Sequence, residues 1–153
     1  MPNFNDIADK HVGETEKPPL IPIGHYRAMV KELPTIDKSN DEVYEFVTFK
    51  MQAYEPTDDV DPQELADFGD IRAVTRNLRF IFNTQDEQAF KRTEYNLRQF
   101  LERSLGLDCA SQGYKQAMSQ SVGARCLIQI KYRPDKNDPE IRYDEIGRTA
   151  PLE

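Results

Sequence analysis

The spacing of apolar and polar positions changes period twice between Arg72 and Tyr132, and that change organises the chain. Residues 72–83 (RAVTRNLRFIFN) are rich in β-branched and aromatic side chains, as a strand favours. Residues 84–107 then carry Phe90, Leu97, Leu101 and Leu105 at helical spacing, with Phe100 widening the stripe. Lys91, Arg92, Glu94, Arg98 and Glu102 fall on the other faces. Thr84 is the expected N-cap with Glu87 as its capping-box partner, and Gly106 is the expected C′ residue. Residues 121–134 return to period two. Ala124, Cys126, Ile128, Ile130 and Tyr132 share one face, Arg125, Gln129 and Lys131 the other, with Leu127 out of pattern. In 72–82, Arg72 and Arg76 share the parity of Val74, Leu78, Phe80 and Phe82. Either the strand bulges near residue 76, or its first half leaves the core.

Two further strands are expected upstream. Pro22 and Gly24 mark a turn into a strand on which Tyr26, Ala28 and Val30 alternate with Arg27, Met29 and Lys31. Residues 42–55 form a long β-rich run. Val43, Val47, Phe49 and Met51 share one face with Glu45 intruding, and Tyr44, Phe46, Thr48 and Lys50 share the other. The intervening 34–41 reads as turn and loop. Residues 56–70 read as an acidic loop with one helical turn after Asp61 as N-cap. A short helix is expected around 114–119, a turn at 134–140 and a last short strand at 141–146. Residues 1–19 read as a flexible N-terminal arm and 147–153 as a C-terminal tail, leaving 20–146 as one domain. The fold class expected is mainly β with one principal helix, its order three strands, the helix, then two strands. That is the order of an OB-fold, a five-stranded Greek-key barrel. Another small α+β barrel and an open sheet with one covering helix are the alternatives.

A chain of 153 residues is long enough for a single core. No apolar run approaches membrane-spanning length, and the N-terminus lacks the basic and apolar regions of a signal peptide. Two cysteines without CxxC spacing, Cys109 and Cys126, suit free thiols in a reducing cytoplasm. The net charge of −7 is unevenly spread: residues 1–71 carry 6 Lys/Arg against 16 Asp/Glu, whereas the remainder is net basic. Basic groups gathered on one face still permit a polyanion partner, because screening is short-ranged.

No motif carries catalysis. There is no P-loop or GxGxxG, and both histidines, His11 and His25, lie in the first 25 positions without a motif around them. His25 has no second ligand at metal spacing, and Asp59-Val60-Asp61-Pro62 does not fit a calcium loop. No catalytic residue, cofactor or metal is expected.

The pattern PIGHYRAMV, YEFVTFKM, LRFIF, FLERSLGLD and VGARCLIQIKY resembles phage-encoded single-stranded-DNA-binding proteins and related phage replication and recombination proteins, over residues 20–146. The resemblance implies an OB-fold that binds single-stranded DNA without sequence preference or catalysis, in the cytoplasm of the host cell. The acidic C-terminal tip common in such proteins is replaced here by RTAPLE, and there is no Trp for stacking. The expected site is the outer face of the second and third strands, between the 34–41 and 133–140 loops. Tyr44 and Phe46 would stack on bases. Lys50, Arg76 and Arg79 would track phosphates, with Arg133 and Lys136 reaching from the last loop. Expected partners are single-stranded DNA and replication or recombination proteins of phage or host, with no membrane; self-association is left open. The competing reading is a phage interaction factor that binds a host or virion protein through the acidic 56–70 loop or a sheet edge.

Overall fold

A computed structural model describes residues 2–14 and 19–152. The described residues form six strands and three α-helices: β1 Gly24–Val30, β2 Thr35–Lys38, β3 Tyr44–Pro56, α1 Pro62–Phe68, β4 Arg76–Asn83, α2 Glu87–Gln99, α3 Tyr114–Gln120, β5 Arg125–Pro134 and β6 Arg142–Ala150. All pairings are antiparallel and build one open sheet. Met51 pairs with Val30 on one edge of β3 and with Arg76 on the other. β1 and β2 therefore follow each other along one edge of β3, and β4 takes the opposite edge. β5 pairs with β1, and β6 with β5.

Several expectations are corrected. Residues 35–38 are a strand rather than loop, because Thr35–Lys38 continue the line of β1 and pair with 45–48 of β3. The third expected strand begins at Arg76, not 72. Residues 71–73 turn in a 3-10 helix capped by the Asp70 side chain, so the first half of that run does leave the strand. The last strand runs to Ala150, taking up most of the expected tail. Asp86, not Thr84, caps α2 by accepting from the Ala89 N–H at 3.1 Å. Thr84 is held by the sheet instead: its N–H and hydroxyl both donate to the Val43 carbonyl oxygen. Other expectations stand. Asp61 caps α1, α3 covers 114–120, and the alternation of β1 and β5 is visible in the burial of Tyr26, Ala28, Val30, Cys126, Ile128 and Ile130. The expected N-terminal arm lies partly outside the described residues; within it, Phe4–Asp6 forms a 3-10 turn and nothing from 2 to 13 is buried.

The core lies on the sheet's inner face under α2. Leu97, Phe100, Leu101 and Leu105 are buried, and Phe90, the more exposed end of the stripe, rests against Phe82 at 4.9 Å. Phe49, Phe80 and Phe100 form an edge-packed trio with centroids 4.9–5.9 Å apart. The helix widens into a π-helical turn over Phe100–Ser104, then stops where Gly106 (φ +70°) lets the Leu107 N–H reach the Leu101 carbonyl oxygen.

Arg76 shares the inner parity with Phe49 and Phe80, and it reaches across to β6. Its guanidinium bonds the Asp144 carboxylate through Nε and Nη2, while the Ile21 N–H donates to the same carboxylate at 2.9 Å. The Asp144 side chain is only 5% exposed. Arg76 is therefore not on the face expected to track phosphates: it has the wrong parity and a buried carboxylate partner.

Two outcomes test this. Leu101→Ala should lower urea-measured stability by about 2–5 kcal/mol, because it leaves a cavity in the core. Arg98→Ala, which removes an exposed i,i+4 pair with Glu102, should cost under about 0.5 kcal/mol. Arg76→Ala should cost about 3–5 kcal/mol by stranding a buried carboxylate, whereas the paired change Arg76→Met with Asp144→Leu should recover most of the loss.

Candidate nucleic-acid interface

Residues directly opposite in an antiparallel pair point to the same face of the sheet. The outer face can therefore be read strand by strand from the register. On β3 it presents Tyr44, Phe46, Thr48, Lys50 and Gln52, beside Asn77, Arg79, Ile81 and Asn83 of β4. Arg79 sits opposite Thr48 and lies over the Phe46 ring at 5.2 Å. Tyr44 is 39% exposed, and Phe46 is half-buried. Tyr44, Phe46, Lys50 and Arg79 thus come together on one surface as expected. Lys50 is exposed but paired with Glu32 at 3.0 Å.

The face continues past β3. Arg27 of β1 is opposite Leu127, Arg125 of β5 is opposite Met29, and Gln129 joins His25 to Arg148 of β6. Lys131 and Arg133 extend the row, opposite Glu145 and Tyr143. Arg125 lies over the Tyr54 ring at 5.2 Å. The strand residues of this face include seven exposed cations (Arg27, Lys50, Arg79, Arg125, Lys131, Arg133, Arg148) against three carboxylates (Asp37, Glu55, Glu145). A chain of net charge −7 therefore turns one net-positive surface outward.

Sequence reasoning missed Arg27, Arg125, Lys131 and Arg148 as site residues. The alternation of Arg125 and Lys131 against the core face was visible, but that their strand lies two places from β3 was not. Arg148 fell in the expected tail.

The two expected flanking loops lie at opposite ends of the sheet. The 39–43 turn leads into the start of β3, where Glu42 takes φ +60° and Asp41 accepts from the Ser39 hydroxyl and the Val43 N–H. Those bonds hold the Asp41 carboxyl below its usual range. The β5–β6 turn lies beyond the start of β1, near the far end of β3. It carries Lys136, while Arg133 is bound by Glu145 at 2.9 Å and lies over Tyr143 at 5.3 Å. Arg133 and Lys136 are therefore at the opposite end of the face from Tyr44 and Phe46.

The acidic segment is clamped to the start of β1. Asp59 accepts from the His25 backbone N–H at 2.9 Å, bonds the His25 ring at 2.6 Å and accepts from the Thr57 hydroxyl at 2.8 Å. These bonds, the backbone one first, hold its carboxyl at about 2. Gly24 (φ +139°) allows the approach, since a Cβ there would sit 2.7 Å from Val60 Cγ2. Thr57 bonds the carboxylate and the His25 carbonyl oxygen rather than the ring, so the trio lacks the nucleophile–base–orienter order of a hydrolase. Among the described residues, no group of three or more His, Cys, Asp or Glu is placed to hold a metal, and no helix is long and apolar enough to cross a membrane. Cys109 and Cys126 are free thiols, and burial pushes the Cys126 thiol up to about 12.

No protein-family model matches the chain, and no curated protein matches it.

The Asp59 clamp has a definite pH signature. Its folded carboxyl titrates below the unfolded one, so its contribution is complete above about pH 4 and fades as pH falls toward 2. In urea titrations, the native chain should exceed Asp59→Asn in stability at neutral pH, and the gap should close between about pH 4 and 2.

Proposed function

We propose that the protein is a non-catalytic, sequence-tolerant single-stranded-DNA-binding protein of phage replication or recombination, acting in the host cytoplasm, and that DNA crosses the outer face of the sheet. The observation that carries this reading is the net-positive face with aromatic rings set among its arginines. Tyr44 and Phe46 offer faces on which bases stack, with Tyr54 a third ring beside Arg125. Arg79, Lys50, Arg27, Arg125 and Arg148 offer charge to phosphates along a path from β4 to β6. Neither kind of contact reads base identity, so tolerance of sequence follows.

The element order supports an OB-like reading. Counting β1 and β2 as one bent strand gives five strands, with α2 between the third and fourth, as in that fold. The Arg76–Asp144 tie stands where such a barrel closes. Arg76 leaves the DNA-contacting set; the other expected residues stay in it, with Arg133 and Lys136 at its far end.

Fluorescence anisotropy with a labelled oligonucleotide tests the reading. Binding should weaken with salt by about 0.7 in log–log slope per phosphate contact. Tyr44→Ala should cost about 1–3 kcal/mol. Arg79→Glu and Arg125→Glu should each weaken binding further and flatten the salt dependence. Unchanged affinity in all three variants would remove this face as the site. No binding by the native chain at low salt would overturn the DNA reading and favour a protein partner for the acidic segment.

A further inference from the structure

Away from the outer face, a cleft of about 460 Å³ opens between β4 and β6, along the edges that pair with no other strand. That volume is within the range of small-molecule sites, about 300–1,000 Å³. Its floor is apolar: Leu78 and Phe80 of β4 and Phe100 of the π-helical turn, the two rings 5.7 Å apart. One wall carries Asn96 and Gln99, one turn apart on α2, followed by Arg103. The opposite wall is β6 with Arg148, and a 2.8 Å hydrogen bond between the Ser104 and Thr149 hydroxyls joins the walls. Among the described residues, no Asp or Glu lines the cleft. Arg148 donates to the neutral Gln129 Oε1 at 3.2 Å, which leaves its charge uncompensated by that partner.

We propose that this cleft is a subsite for one nucleotide. The base would lie against the Phe80, Phe100 and Leu78 surface, where any base offers a π-face. Asn96 and Gln99 each present both donors and an acceptor, so they can answer different base edges. Arg103 would take the phosphate, as a guanidinium group suits, with Arg148 at the rim. The ligand chemistry is a base joined to a phosphate, whether from a free nucleotide or from one residue of a DNA strand. The proposal does not depend on the outer-face reading. Arg148 borders both surfaces, so a strand crossing the face has a route into the cleft.

The test is an NMR titration of the full chain with dAMP, dTMP, the nucleoside deoxyadenosine and a five-residue oligothymidylate. Saturable shifts are expected at the Asn96 and Gln99 side-chain amides and at the 147–149 backbone. Deoxyadenosine, lacking the phosphate, should bind roughly tenfold or more weakly than dAMP, as should dAMP to Arg103→Glu and Arg103→Gln. Arg79→Glu should leave mononucleotide binding unchanged while weakening longer oligonucleotides. Shifts with the oligothymidylate at the same amides would mark DNA as the source; shifts with mononucleotides alone would mark a free nucleotide. Absence of saturable mononucleotide binding, or binding unaffected by both Arg103 variants, would overturn the subsite. That result would leave the outer-face reading standing, since that reading is tested separately by oligonucleotide binding and its Tyr44, Arg79 and Arg125 variants.

Discussion

One buried ion pair holds the ends of this sheet together. In this open sheet β2, β4 and β6 each pair with a single neighbour, and β4 and β6 approach each other without forming a ladder. Arg76 and Asp144 span that gap from the inner face, and the Ile21 N–H also donates to the carboxylate. An almost fully buried carboxylate is tolerated only with such partners, because its desolvation is costly when any partner is missing. The tie brings the outer faces of β4 and β6 into one curved surface. It also fixes where the strands separate, and so where the cleft beneath α2 opens.

The charge pattern follows from how the strands are dealt out. Core-facing positions of β1, β3 and β5 carry Tyr26, Phe49, Met51, Ile128 and Ile130, so the basic side chains of the same strands must face outward. Many of the acids gather in the 56–70 segment, pinned to the start of β1 through Asp59 and Val60, where Asp59 meets the end of that face beside His25 and Lys131. At physiological salt, charges more than about 8 Å apart are largely screened, so only the acids nearest a basic side chain act on it. Net charge alone therefore says little about whether a polyanion is accepted.

How much of this was legible in the sequence depended on the range of the interaction. The stripe Leu97, Phe100, Leu101 and Leu105 and the alternation of β1 and β5 are local periodicities, and they read correctly. Asp86 was misassigned because Thr84 looks like a cap; only the long-range bond from Thr84 to Val43 shows that the strand runs on before the helix starts. β2 was invisible because Thr35–Lys38 bury nothing and gain their strand character only from β3. Arg76 carried the right clue, sharing parity with Leu78 and Phe80, but its partner lies 68 residues away. Arg148 was hidden for the same reason: a strand whose pattern is broken by a register shift between Gln129 and Ile130 reads as tail.

The remaining free edges show why the cleft stands out. An exposed edge invites pairing with another chain unless it is short, charged or covered. β2 meets the first two conditions, being four residues long with Asp37 and Lys38 among them. Part of the β4 edge is covered by α2, where the Thr93 hydroxyl satisfies the Ile81 carbonyl oxygen. The opposite end of β4 is closed against β6 by Arg76 and Asp144. Between these two fastenings the edges are neither paired nor covered, and the floor beneath them is aromatic. Among the described residues, arginines and amides border this opening and carboxylates do not, which suits an anionic planar ligand better than another strand's apolar face.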